Sequence, residues 1–544
     1  MYQLVRAYKF EGAKAPVKSY KMLTTKDYKK FQVLDSSRTV LHEFEGAVLA
    51  HKALPGDSVR VAGPGVELVE RGEKKLLVGV LCLTSKYMYG MTGHGVPMYL
   101  CETMNKGWPS FRVACKEKDR SQNLLITFHF DSWEEAELPR GGLAEILGPV
   151  EDPAAEALAL AVIASPRSAP RPVTLPLITD FKRNKLTTGT FNIDPPGCKD
   201  IDDVITLEKV DDKIWKISVT IADVSEMVTI HSPQWKAAMS AGATVYQNGG
   251  VVRPMLHRLL SEEVCSLLPG KMRYGVALMA FWENGHLSAP FFRKVIVTNQ
   301  ESYTYDSIYK SKTVPLDILK VICSEISGRP ITDSHEWVET LMLWYNRNAA
   351  TILRDLGAGL LRRHDRPFEE RLAQVNAISP DLQFLAYKSA EYCGADTDNI
   401  KHHGLGMDVY CHASSPIRRF ADLLNQVILK RWIDGERVAV REDYESLAAN
   451  LNRRQKEIAA HDRHYSLLTA IHGAVRLEIT GRVLWSEKEK VALWIDEWKT
   501  IVRIKTIAAP GDTIKLRYFC DRRKAQWKER IIYEVIKTSE GASI

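Results

Sequence analysis

Asp194-Pro195-Pro196-Gly197-Cys198-Lys199-Asp200-Ile201-Asp202-Asp203 places four aspartates within ten residues and runs straight into the apolar segment Val204-Ile205-Thr206-Leu207. Four carboxylates this close repel one another, and each raises the pKa of the next. A bound cation removes that cost. Hard oxygen donors at short spacing suit Mg²⁺ or Mn²⁺ rather than zinc. In a plain strand, Asp200 and Asp202 would face one side and Asp203 the other. Convergence therefore needs a turn, which Pro195, Pro196 and Gly197 favour. Taken alone, the stretch reads more simply as an acidic surface turn. Two further segments change that balance.

The first is Tyr410-Cys411-His412-Ala413-Ser414-Ser415-Pro416-Ile417-Arg418-Arg419-Phe420-Ala421-Asp422. A Ser-Ser-Pro turn leads into two arginines and then a helical apolar pattern at Leu423, Leu424, Val427 and Ile428. Arginines in the first turn of a helix oppose the macrodipole, which favours anions there. An external phosphate would explain them. The competing reading for Arg418 is an ion pair with Asp422, four residues on. For Arg419, a phosphate contact and a salt bridge fit equally well. The second segment joins Val245-Tyr246 to Arg253-Pro254-Met255-Leu256 and Leu260-Ser261-Glu262-Glu263-Val264-Cys265-Ser266-Leu267.

With Arg362-Arg363-His364-Asp365-Arg366-Pro367, these motifs occur in the order and spacing of the RNB family. That family comprises ribonuclease II, ribonuclease R and the hydrolytic nuclease of the eukaryotic exosome. The resemblance is strong over roughly 173–474 and weaker on the flanks. It implies processive, Mg²⁺-dependent 3′→5′ hydrolysis of single-stranded RNA to nucleoside 5′-monophosphates, with Mn²⁺ as a substitute metal. Asp194, Asp200, Asp202 and Asp203 match the family's metal-binding aspartates. The implied two-metal scheme uses one ion to generate hydroxide and the other to stabilise the leaving 3′-oxygen. Asp202, Asp203 and Arg418 are the implied catalytic residues, Asp202 being the most chemistry-specific by position. Tyr246 matches the tyrosine that holds the 3′-terminal nucleotide, a stacking contact indifferent to base identity. Arg418, Arg419, Arg522, Arg523 and Lys524 are the expected RNA contacts. His364 and His412 read as packing or hydrogen-bonding residues, because a two-metal hydrolase needs no histidine.

Several positions depart from the family. Ser414 stands for the usual threonine, Ala413 for an aromatic, Phe420 for a tyrosine, Gln426 for a histidine and His257 for a proline. A family glutamate linked to turnover has no clear match near Asp462. Rate and product length are the properties these changes touch. The chain begins at the barrels and shows neither a PIN nuclease domain nor a long basic tail, so weak action on structured RNA is expected.

Composition sets the outer bounds. The chain has 544 residues, 45% hydrophobic and 26% charged, which suits a globular protein of three or four domains. No run of 18 apolar residues occurs, so no membrane span is expected. The formal charge of +7 permits a polyanionic partner without requiring one. Nine scattered cysteines without a C-x-x-C argue for an intracellular, reducing compartment and against a zinc site. A monomer is expected, with recruitment into a larger RNA-degradation complex left open.

Along the chain, Pro55-Gly56-Asp57-Ser58-Val59 and Pro510-Gly511-Asp512-Thr513-Ile514 are matching turns into alternating strands. They predict an α+β multidomain architecture. Residues 1–85 and 86–165 read as two OB or cold-shock-like barrels, the second ending in a short helix. The family resemblance implies that residues 173–474 are the central α/β RNB catalytic domain and that the β-rich 475–544 are an S1-type OB barrel. Val210-Asp211-Asp212-Lys213 reads as a hairpin turn with solvated aspartates. Val338, Leu341, Met342, Tyr345 and Ala349 fall on one helical face, and a long helix is predicted over 443–474. Trp485, Trp494, Trp498 and Trp527 lie among basic residues at the end of the chain. At least two of the four are expected in the barrel core, and the others suit stacking on single-stranded RNA.

Two other readings compete. One is a catalytically weak or inactive RNA-binding protein on the same scaffold, which retention of all four aspartates disfavours. The other is a DNA nuclease or phosphodiesterase using the same metals.

Overall fold

The fold is that of a computed structural model, which describes residues 20–24, 28–34, 40–72, 74–134, 137–165, 169–172, 182–437, 443–473, 478–520, 529 and 531–536. These fall into two compact units whose boundary lies at residues 166–167, with 519–532 grouped with the first. Among the described residues no helix is long and apolar enough to cross a membrane.

The first unit opens with a five-stranded antiparallel sheet whose outer strands are Val40–Glu45 and Gly65–Glu70. Its core holds Met22, Phe31, Val33, Val59 and Val66. A closed five-stranded barrel follows, of strands Leu76–Leu81, Met98–Thr103, Phe111–Ala114, Leu124–Ser132 and Arg140–Pro149. Strand Leu76–Leu81 pairs with Leu124–Ser132 along its whole length. Residues 76–81 therefore belong to the barrel and not to the preceding sheet, which moves the expected boundary at 85 to before Leu76. The apolar run Leu76-Leu77-Val78-Gly79-Val80-Leu81 suits a barrel strand covered on both faces. Helix α1 (Pro153–Ala164) covers one of them through Ala155, Ala159 and Val162. Asp152 caps that helix by accepting the Ala155 N–H at 3.0 Å.

The second unit is built on an eight-stranded sheet. Its spatial order is Asn184–Leu186, Phe291–Thr298, Met272–Glu283, Ile214–Ala222, Asp203–Lys209, Thr190–Ile193 and Glu301–Tyr303, with His286–Leu287 paired to the long strand. The two edge pairings are parallel and the inner ones antiparallel. Asp211 and Asp212 do lie in a turn, where Asp211 accepts the Lys213 and Ile214 N–H groups. Helices α2 (Pro233–Ala241), α3 (Leu316–Ser327), α4 (Ser334–Leu356), α5 (Glu369–Ile378), α6 (Phe420–Ile433) and α7 (Tyr444–Gly473) complete the unit. The face foreseen on α4 buries Leu341, Tyr345 and Ala349 in the same core as the sheet. Phe420 is fully buried against Trp235, their rings 4.9 Å apart, so the missing hydroxyl has no polar place to go.

The chain ends in a five-stranded sheet containing Glu478–Glu487, Lys490–Ile495, Thr500–Lys505, Thr513–Cys520 and Ile531–Val535. Trp494 and Trp498 are buried, as expected of core tryptophans. Trp527, Arg522, Arg523 and Lys524 lie outside the described residues.

Candidate active site

The aspartate segment joins two neighbouring antiparallel strands, Thr190–Ile193 and Asp203–Lys209, at one end of the central sheet. The Asp194 N–H bonds to the Tyr303 carbonyl at 3.0 Å, and the Ala222 N–H to the Asp202 carbonyl at 2.8 Å, which fixes both ends of the loop. Between them the chain doubles back through a turn closed by Cys198 N–H to Pro195 C=O, with Gly197 at φ +79°. That left-handed backbone favours glycine. Asp194, Asp200, Asp202 and Asp203 thus line one cavity of about 470 Å³, with Tyr246 and Arg418.

The distant motifs are tied to this loop by hydrogen bonds. Asp202 accepts the Ile417 N–H at 2.9 Å and the Arg418 Nε at 3.2 Å. Tyr246 donates its hydroxyl to Asp200 at 2.9 Å. The Thr244 N–H reaches the Arg418 carbonyl at 2.9 Å. Buried Ser266, from the Cys-Ser-Leu motif, accepts the Ile201 N–H at 3.0 Å and donates to the Lys199 carbonyl at 2.7 Å. The segments around Tyr246, Ser266 and Arg418 are thus each bonded to the aspartate loop or to one another.

Electrostatics follow from enclosure. Burial pushes the Asp202 carboxyl up to about 7, against the opposing pull of Arg418 and the Ile417 N–H. Burial also pushes up Asp194, which takes a hydrogen bond from Asn192 at 2.8 Å. Asp203 is pushed well up by burial, then by the charges of Asp194 and Asp202. Carboxyls raised in this way are short of positive charge, and a divalent cation would supply it. The donor set is hard oxygen throughout, which fits Mg²⁺ or Mn²⁺. Among the described residues no three acidic, histidine or cysteine side chains converge tightly enough to hold an ion as they stand. The hydrogen bonds above account for this, since Asp200 and Asp202 are each held by a protein donor.

Two sequence expectations change. Arg418 and Arg419 precede α6 rather than occupying its first turn. The competing reading that pairs Arg418 with Asp422 does not hold; Asp422 is held by Arg419, for which a salt bridge is one of two equal readings, its Nε and Nη2 donating to the two Asp422 oxygens at 2.9 and 2.8 Å. Arg419 does not line the aspartate cavity. Asp422 also accepts the Ser415 N–H at 2.8 Å, so this pair shapes the turn that presents Arg418. Sequence reasoning gave no role to Asn192, Cys198, Tyr305 or Ser266, although Cys198 and Ser266 lie within the quoted motifs. Cys198 and Tyr305 line the cavity, the Cys198 sulfur lying 3.7 Å from Asp200. No spacing rule singles out such lone polar residues. His412 packs inward with Nδ1 against the Tyr392 hydroxyl at 2.9 Å, and His364 Nε2 meets the Lys388 carbonyl at 2.7 Å. Gln426 bridges the Ala222 carbonyl and the Ser225 N–H, a buried structural link.

Comparison with known proteins now adds a family. The RNB domain matches residues 183–313 and 309–435. Ribonuclease R of Chlamydia pneumoniae is 26% identical over 384 residues, 53% of this chain and 56% of that protein. The exosome complex exonuclease dis3 of Schizosaccharomyces pombe is 24% identical over 444 residues, 62% of this chain and 45% of that protein. The chain thus spans about half the length of the curated relatives it matches. In fold, RNase R of Mycoplasma genitalium, solved in complex with ribose-methylated single-stranded RNA, aligns with a TM-score of 0.74 at 19% identity, covering 95% of this chain and all of that one. Yeast Ssd1, described as a pseudonuclease, aligns at 0.61 and 14% identity over 92% of this chain and 80% of its own. These structural likenesses show a shared RNase R-like multidomain fold. Residues 183–435, which match the RNB domain, contain all four aspartates, Tyr246 and Arg418.

Proposed function

We propose that this protein is a processive 3′→5′ exoribonuclease that hydrolyses single-stranded RNA to nucleoside 5′-monophosphates. The observation that carries the reading is the single cavity on which four aspartates, an arginine and a tyrosine converge. The match to proteins named ribonuclease R and exosome exonuclease supports it. On this reading the terminal sheets and barrel are OB-type RNA-binding modules, cold-shock-like at the start and S1-like at the end.

Asp194, Asp200, Asp202 and Asp203 are the residues that would hold Mg²⁺. The bound metal would activate water and stabilise the leaving 3′-oxygen. The Arg418 fork is about half exposed, with a side-chain accessibility of 46%, so it can offer Nη1 to a phosphate while Nε stays on Asp202 and Nη2 on the Ser415 hydroxyl at 3.2 Å. Charge developing on phosphoryl oxygens would then meet a fixed guanidinium in a partly dry site. Tyr246 would stack under the terminal base while its hydroxyl keeps Asp200 in place.

A 5′-labelled single-stranded RNA of about 30 nucleotides, long enough to span several modules, tests the reading with Mg²⁺, with EDTA and with Asp202→Asn. Collapse to a short labelled remnant with wild type and Mg²⁺ alone supports it. RNA that stays intact yet bound would favour the non-catalytic RNA-binding reading, for which the Ssd1 likeness in fold is the motivating observation. A matched DNA strand cut equally well would move the assignment to a nuclease without sugar selectivity.

A further inference from the structure

A second cavity, of about 200 Å³, is lined by Arg419 where the aspartate cavity is lined by Arg418, and the two share no lining residue. Its polar wall is Arg362, Arg419, Arg454, Gln455, Tyr392 and His412. Three arginines therefore contribute to the lining of one small cavity.

Two of the three have carboxylate partners. Arg419 takes both oxygens of Asp422. Arg454 pairs with Glu457 and donates to the Ala241 carbonyl at 3.1 Å. Arg362 differs. It comes from strand Leu360–Arg363 and is 8% exposed. Its Nη1 donates to the Gln455 amide oxygen at 2.6 Å, and its guanidinium carbon lies 4.7 Å from the centre of the Tyr392 ring. Among the described residues no carboxylate lies within 4 Å of it. Asp422, whose charge it feels, is already occupied by Arg419 and the Ser415 N–H. Arginine cannot shed its proton to escape burial. His412 adds no charge of its own, since burial and then Arg419 and Arg362 hold its pKa well below the usual range.

An enclosed guanidinium with an amide and a ring for company, facing two more guanidiniums, lacks an anion. We propose that this cavity binds a small tetrahedral oxyanion, inorganic phosphate or the phosphate of a monoester, on Arg362 and Arg419. A planar fork pairs with such an anion through two parallel bonds. The bound anion would link strand Leu360–Arg363 to the residue beside Arg418, so its presence would be felt at the neighbouring cavity. The proposal does not depend on RNA cleavage.

The test is thermal unfolding of the full chain in EDTA at constant ionic strength, titrated with inorganic phosphate and, separately, with adenosine 5′-monophosphate. A saturable rise in midpoint of about 2–4 °C is expected with phosphate. Arg362→Gln should abolish it, and Arg362→Lys should move the titration to about tenfold higher phosphate by losing the fork. Gln455→Glu keeps the side-chain shape and supplies a carboxylate beside Arg362. It should raise the midpoint without phosphate and remove the phosphate response, which keeps the test sharp if Arg362→Gln fails to fold. Arg418→Gln should leave the response intact. An equal response to the monophosphate would assign the ligand as a nucleotide phosphate, and a response to phosphate alone as the free ion. No response in wild type, an unchanged response in Gln455→Glu, or its loss in Arg418→Gln would each overturn the proposal.

Discussion

At the residue scale, Asp202 ties the aspartate loop to the Arg418 segment. It is enclosed, it accepts from Ile417 and Arg418, and burial holds its carboxyl near 7. Asp202→Asn keeps the shape but removes a negative charge and one acceptor. Cleavage of single-stranded RNA should fall by at least about a hundredfold while RNA affinity is retained, as loss of a single electrostatic contact at a reacting phosphate commonly costs. Parallel gel and binding assays check this. Tyr246 offers a finer division of labour. Tyr246→Phe keeps the ring and loses the bond to Asp200, so the turnover rate should drop about tenfold with little change in affinity for RNA. Tyr246→Ala removes the ring as well and should also weaken binding of the 3′ end. Wild-type turnover in Tyr246→Phe would mean that the hydroxyl does nothing for Asp200, and equal binding in the two variants that the ring does not hold the 3′ end.

At the element scale, two devices hold the site on the sheet. The first is Ser266, which pins the aspartate loop at two backbone points. Ser266→Ala leaves a buried N–H and C=O without that partner, a loss of about 1–3 kcal/mol. The expected result is a modest drop in unfolding midpoint with a larger drop in cleavage, because the loop that loosens is the one bearing the carboxylates. The second is an ion network that seats α6. Lys430 of α6 donates to Asp223 at 2.8 Å and to Glu226 at 2.6 Å, and Arg183 meets the same two carboxylates. Burial would raise Glu226, but Lys430 and Arg183 outweigh it and hold its carboxyl at about 2, against an ordinary 4.5. Between those values the unfolded chain takes up a proton that the folded chain refuses. The contribution is therefore complete above about pH 4.5 and is lost as pH falls towards 2. Its size is about 2 kcal/mol. Urea midpoints at pH 6 and pH 3 should differ less in Glu226→Gln than in wild type.

The same scale shows what the sequence made legible. The helical face on α4, the long helix α7 and the turn at Asp211 follow from periodicity and turn chemistry, which are local. Asp194, Asp200, Asp202 and Asp203 were visible because they crowd one short loop. Arg418 and Tyr246 were visible through the order of motifs. Ser266 and Asn192 were not, because a serine or asparagine acquires a role only when the fold brings a backbone group or a carboxylate to it. The competing reading for Arg418, an ion pair with Asp422, fails for a related reason. Helical spacing points to Asp422, but Arg418 lies outside the helix and finds Asp202, 216 residues away in the chain. Strand Leu76–Leu81 was assigned to the wrong sheet because an apolar run specifies burial and not which neighbour supplies it.

At the scale of the whole molecule, an RNase R-like fold places two N-terminal β-modules and a C-terminal β-sheet on a chain whose central sheet carries the aspartate cavity. The central claim is that water is delivered there to the terminal phosphodiester of RNA. Cleavage in ¹⁸O-enriched water with Mg²⁺, followed by mass analysis of the released nucleotides, tests it most directly. The account predicts nucleoside 5′-monophosphates carrying one heavy oxygen on phosphorus, released from the 3′ end and absent with Asp202→Asn. Nucleoside 3′-phosphates or 2′,3′-cyclic phosphates, or 5′-monophosphates without the label, would contradict it.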